Sequence, residues 1–93
     1  MKFYHGTNQH GLDETIKQGF LLHKRVVKGY NPDPCTYLAI NEKEARQYGD
    51  IVLGVEYDPL KNPKMNNYQD GCWQLRVYEP IPIKNITNPK IKL

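Results

Sequence analysis

The order of elements in this 93-residue chain predicts an α+β fold. Two segments carry helical signals, and both come early. Strand-like apolar runs surround them, and two of the longer runs fall late. This segregation departs from the regular strand–helix alternation that builds a parallel sheet. No internal repeat, low-complexity tract or linker divides the sequence, so residues 1–93 read as a single minimal domain.

The elements follow in order. Lys2-Phe3-Tyr4 reads as a short strand ending in His5-Gly6-Thr7. "GLDETIKQGF" reads as a helix, with Leu12, Ile16 and Phe20 on one face, Asp13 and Glu14 near its start, and Gly19 ending it in a left-handed conformation. "LLHKRVVKGYNPDP" reads as a polar loop with room for a strand fragment, closed by Asn-Pro and Asp-Pro turn signals. "CTYLAI" is a strand running into "NEKEARQYG", the best helix signal in the chain. There Asn41 is the cap, Glu44 stands at the third helical position, and Gly49 is the stop. "DIVLGVEYDPL" is a clear strand closed by Asp58-Pro59. "KNPKMNNYQDG" is a polar loop, and "CWQLRVYEPIPI" is the last strong strand, with "KNI" as an extension.

Composition narrows the classes. The formal net charge is +3, and the positive residues are scattered apart from "HKRVVK" and the tail "KNITNPKIKL". A scattered excess describes a solvated surface better than a nucleic-acid footprint, yet suits an anionic ligand such as a dinucleotide. Cys35 and Cys72 form no Cys-x-x-Cys motif and no Cys/His cluster, so no metal site is expected. No run of membrane-spanning length and no charged-then-apolar leader is present. The expectation is a cytoplasmic protein with reduced thiols and no membrane partner.

The residues that could carry chemistry are few. Taken alone, His5-Gly6-Thr7 is a strand followed by a turn, with an ordinary half-buried histidine. A Gly at a strand end also lets a ligand approach the backbone closely. Taken alone, Tyr37 fits core packing equally well, and for Tyr48 core packing on its helix is the better reading.

Four segments in order, "YHGT", "IKQGF", "TYLAINEKEARQYG" and "WQLRVYEP", together resemble the ADP-ribosyltransferase fold in its diphtheria-toxin-like and poly(ADP-ribose) polymerase-like branch. That branch carries a His-Tyr-Glu triad on three strands of a split, mostly antiparallel sheet. Its first motif ends in His-Gly-Ser or His-Gly-Thr, ahead of a helix ending in Gly-Phe. Its second is a Tyr-Phe-Ala-like triplet with a further Tyr eleven residues on, matched here by Tyr37-Leu38-Ala39 and Tyr48. The resemblance implies NAD as co-substrate. His5 would hold a ribose hydroxyl, the Gly6 backbone would pair with the nicotinamide carboxamide, and Thr7 would fix the turn. Tyr37 and Tyr48 would sandwich the ring.

The third motif departs from the pattern. Setting "QLRVYEP" on Glu-Tyr-x-Val-Tyr-Asp-Pro puts Gln74 at the catalytic carboxylate and Glu79 five residues on, so His5, Tyr37, Gln74 and Glu79 are the catalytic candidates. In a regular strand Gln74 and Glu79 face opposite sides. The resemblance therefore implies a small mono-ADP-ribosyltransferase acting on a protein or nucleic acid, with its own loops meeting the acceptor. The alternatives are an NAD-binding module without chemistry, or an enzyme that recruits Glu79 or Glu56. A relative of the RNA 2′-phosphotransferases ranks last, because the second His and the Arg residues of that group are not matched.

Overall fold

In the computed structural model, residues 1–22 and 34–87 are described. They form an α+β domain. The strands are β1 (Lys2–Thr7), β2 (Phe20–Leu21), β3 (Thr36–Ala39), β4 (Ile51–Glu56), β5 (Gln74–Val77), β6 (Ile81–Pro82) and β7 (Ile86–Thr87). The helices are α1 (Gln9–Gln18) and α2 (Glu42–Arg46). Five strands make one sheet in the order β5-β3-β1-β4-β7, and β2 pairs with β6 in a second, two-stranded sheet. Every registered pairing is antiparallel. The anticipated loop "LLHKRVVKGYNPDP" beyond Leu22 falls almost wholly outside the described residues, as does the basic tail from Asn88.

Alternation along the strands sorts the side chains. Phe3 stands opposite Val55, Leu38 opposite Leu75, and Thr36 opposite Val77. With Leu12, Leu21, Leu53, Ile81 and Ile86 these residues close the core. Burying aliphatic side chains from both sheets against α1 is the main stabilising term, at about 1.5–3 kcal/mol for each fully covered side chain.

α1 differs from its expected face. It starts earlier, with Asn8 as cap accepting from the Gly11 amide at 2.8 Å, so Asp13 and Glu14 fall mid-helix rather than in the first turn. Leu12 and Thr15 are its buried pair, while Ile16 is 42% exposed and Phe20 has left the helix for β2. Thr15 tolerates burial because its hydroxyl donates to the Gly11 carbonyl at 2.9 Å. Gly19 ends the helix at φ 82°, a conformation that a side chain would strain.

The last strand is not continuous. β5 ends at Val77, and the prolines at 80 and 82, which lack an N–H, break the run into β5, β6 and a separate β7 beyond a 3₁₀ turn at Ile83–Asn85. The polar loop 60–71 also gains a role. Asn67 donates its amide to the Arg76 carbonyl and accepts from the Arg76 amide through its side chain, which covers the outer edge of β5.

α2 has just five residues, too few to persist without help. Asn41 supplies some of that help, accepting from the Glu44 amide at 2.8 Å. Asn41→Ala should cost about 1 kcal/mol of unfolding free energy in denaturant titration. An unchanged midpoint would show that packing alone holds α2.

Candidate functional site

The site begins with a gap in the sheet. The Tyr57 amide donates to the Met1 carbonyl, so by antiparallel alternation Phe3, His5 and Thr7 turn their amide edges to β4, and Tyr4 and Gly6 turn theirs to β3. The Ile40 amide donates to the Trp73 carbonyl. Leu38 and Thr36 therefore face β5, while Ala39 and Tyr37 face β1. β1 stays in register with β4 from Lys2↔Glu56 to Thr7↔Ile51, but its registered pairing with β3 is Tyr4↔Ala39 alone. Past that pair the edges of Gly6 and Tyr37 look at each other across a widening gap.

His5 bridges the gap. Its Nδ1 lies 2.9 Å from the Tyr37 carbonyl oxygen. A carbonyl only accepts, so Nδ1 carries the proton and the imidazole tautomer is set by this bond. A side chain thus holds the strands where the backbone ladder has stopped.

α2 forms the opposite wall. A side chain on Gly6 would run into the Ala45 carbonyl, and one on Gly49 into the backbone of Thr7. The helix and the turn after it therefore lie directly on the β1 backbone. Gly49 does not act as a left-handed stop, since the helix ends at Arg46 with Gln47 in a right-handed conformation. Its missing side chain instead lets the turn close on Thr7. This seating brings Tyr48, which is 51% exposed, to the gap.

The result is a cleft of about 500 Å³ lined by His5, Gly6, Thr7, Tyr37, Tyr48 and Gln74. The start of α1 completes it with Asn8, His10 and Gly11. Four separate elements thus bring six of the seven anticipated site residues together. Gln74 stands opposite Ala39 on the α2 side of the sheet, and its Nε2 donates to the Tyr48 hydroxyl at 2.9 Å. Tyr37 and Tyr48 are not packed on each other; among the described residues the ring pair in contact is Phe3 with Tyr68. Among the described residues, none lining the cleft is acidic. No group of three metal-ligating side chains gathers among them either.

Glu79, the seventh anticipated residue, is elsewhere. It lies beyond the end of β5 and lines a different cavity of about 500 Å³ together with Glu56, Tyr57, Asp58 and Lys61. No bulge returns it to Gln74. It accepts a hydrogen bond from the Tyr57 hydroxyl at 2.9 Å, and Asn66 donates to the same hydroxyl at 3.1 Å. Burial, then the bond to Glu79, pushes the Tyr57 phenol up to about 12. Glu56 lines this second cavity as well, 3.9 Å from the Met1 amino group.

Asn8, His10 and Gly11 escaped the sequence reading. Their presence follows from α1 starting directly after β1, a start marked by Asn8 as a cap residue. Comparison with family models, curated proteins and solved structures returns no match.

Two outcomes follow from this geometry. Gly6→Ala should displace α2 and with it Tyr48, lowering the melting temperature by several degrees and exposing Tyr48 further to a soluble fluorescence quencher. Wild-type stability in that variant would show that the helix is not seated on β1. Separately, Tyr57 has a folded pKa of about 12 against 10.0 unfolded, so its neutral form is favoured by folding. Its contribution is complete below pH 10 and is lost as pH rises toward 12. Denaturant midpoints should fall across that window and fall less in Tyr57→Phe. Equal slopes would show that the phenol is not perturbed.

Proposed function

We propose that this cleft binds NAD by its nicotinamide–ribose end and that the domain transfers a single ADP-ribose unit to a protein or nucleic-acid acceptor, as an ADP-ribosyltransferase-like enzyme of the His-Tyr-Glu branch with Gln74 in the place of the Glu. The observation that supports this reading is convergence. His5, Gly6, Thr7, Tyr37, Tyr48 and Gln74, residues singled out by motif order, come from separate elements to line one cleft.

The chemistry fits these groups. The Gly6 amide edge, turned toward the gap, offers a donor and an acceptor in line, which is what a carboxamide needs. Tyr37 and Tyr48 offer π faces to a flat, positively charged ring. His5 holds a ribose hydroxyl, and Gln74 accepts from the 2′-hydroxyl. As nicotinamide leaves, positive charge develops on the ribose, and a carboxylate beside it would stabilise that charge. Gln74 is neutral. Electrostatic groups of this kind contribute about 3–4 kcal/mol, or 10²–10³-fold in rate, so transfer by this chain is slow.

A second reading is favoured by the lack of any acidic group among the described lining residues. On that reading the domain binds NAD and acts through a partner without chemistry.

One experiment separates the readings. NAD is titrated calorimetrically into wild type and into Tyr37→Ala/Tyr48→Ala, and nicotinamide release is followed in Gln74→Glu and Glu79→Gln. Wild type should bind, and the folded double variant should bind at least tenfold more weakly, since each stacked ring is felt at about 1–3 kcal/mol. Gln74→Glu should raise turnover by one to two powers of ten, and Glu79→Gln should leave it unchanged. Equal binding by wild type and the double variant sinks the pocket. Binding without turnover in any variant leaves the module reading.

A further inference from the structure

Gln74 meets the cleft through an amide, and an amide has two unlike edges. Nε2 can only donate, whereas Oε1 can only accept. Which edge faces a ligand decides what the ligand must supply. In this structure Nε2 donates to the Tyr48 hydroxyl at 2.9 Å, which sets the amide nitrogen on the Tyr48 side. Tyr48 is itself held from below, because α2 and its closing turn lie against the β1 backbone at Gly6 and Thr7.

We infer that Tyr48 is a positioning residue for Gln74: its hydroxyl accepts one of the two amide N–H groups and so turns the amide with its carbonyl oxygen as the edge offered to the ligand. The inference rests on the reading of the cleft as an NAD site and gives that site a selectivity. The group set against Gln74 must be a hydrogen-bond donor, as a ribose hydroxyl is. A ligand offering only an acceptor there, such as a ribose phosphorylated at that hydroxyl, meets an oxygen with an oxygen. Tyr48 thus has two separable tasks, with the ring bracketing the ligand and the hydroxyl orienting Gln74. An ionised Glu at position 74 would need no such partner, because both its oxygens accept.

Tyr48→Phe separates the tasks by keeping the ring and removing the hydroxyl. Three measurements are made on wild type and this variant. The side-chain amide resonances of Gln74 are assigned in the ligand-free protein by NMR. The affinity for NAD is measured. It is then measured for an NAD analogue lacking the 2′-hydroxyl on the nicotinamide ribose. In Tyr48→Phe the Gln74 amide protons should move toward the positions of a solvated glutamine. NAD should bind about two- to tenfold more weakly, the range of one neutral hydrogen bond. The wild-type preference for NAD over the deoxy analogue should shrink in the variant, and a role limited to stacking or packing would leave that preference unchanged.

An unmoved Gln74 resonance, or an equal preference in both proteins, overturns the positioning role while leaving NAD binding intact. A wild-type protein that binds neither NAD nor the analogue overturns the reading of the cleft, and the positioning role with it. The two failures are therefore distinct.

Discussion

The parting of β1 from β3 is the constraint on which the rest of this structure depends. A five-stranded antiparallel sheet has no reason to open in its middle, since each lost ladder bond leaves a donor and an acceptor to be satisfied. Here the opening begins one position past Tyr4↔Ala39, and the His5 imidazole supplies the bond that the Tyr37 carbonyl would otherwise lack. The substitution also settles where the cleft lies. Its floor is the pair of backbone edges at Gly6 and Tyr37, which belong to the central strand of the sheet and its immediate neighbour. A site placed there inherits the rigidity of β1 and β4, which remain in register throughout.

Position 6 then couples the cleft to the helix above it. With a bare α-carbon at Gly6, α2 descends until its Ala45 carbonyl is against the strand, and Gly49 lets the turn settle on Thr7. The sequence alone explains a glycine at position 6 by the approach of a ligand. The contact that forbids a side chain there is with the protein itself. The two explanations are compatible because they use different directions: the helix occupies the face of the sheet, and the amide edge points along it toward β3. One missing side chain thus serves both the packing of a five-residue helix and the exposure of a backbone edge.

Legibility followed the strength of the local signal. The runs that became β1, β3 and β4 were readable from apolar and aromatic density, and the start of α2 from Asn41 with Glu44 behind it. The face of α1 is not legible in the sequence, because hydrophobic periodicity favours Ile16 and Phe20. The buried partner of Leu12 is Thr15, a polar residue made tolerable by its bond to the Gly11 carbonyl. The break in the last strand was signalled by Pro80 and Pro82, whose missing N–H groups outweigh the apolar residues around them. In the cleft, Tyr37 and Tyr48 became informative through spacing and order, since neither differs locally from a core tyrosine. Asn8, His10 and Gly11 carry no such spacing, and they enter because α1 starts directly after β1.

The separation of Gln74 from Glu79 gives the electrostatic character of the molecule. Carboxylates gather in the second cavity, which Glu56, Asp58 and Glu79 line and where burial, helped by Glu79 and Asp58, holds the Tyr57 phenol neutral, while the described lining of the cleft has none. On the proposed NAD reading, a neutral cleft would give up attraction for a cationic ring but would also avoid repelling the phosphates attached to it. The loss is moderated by geometry. Tyr48, the wall nearest Gln74, is half exposed, and a charge beside it would act through a partly aqueous dielectric rather than a dry interior. On that reading recognition would lean on directed hydrogen bonds, from the Gly6 edge and the Gln74 amide, more than on charge. Such bonds reward exact placement, and placement is what the bridged gap and the closely seated helix provide.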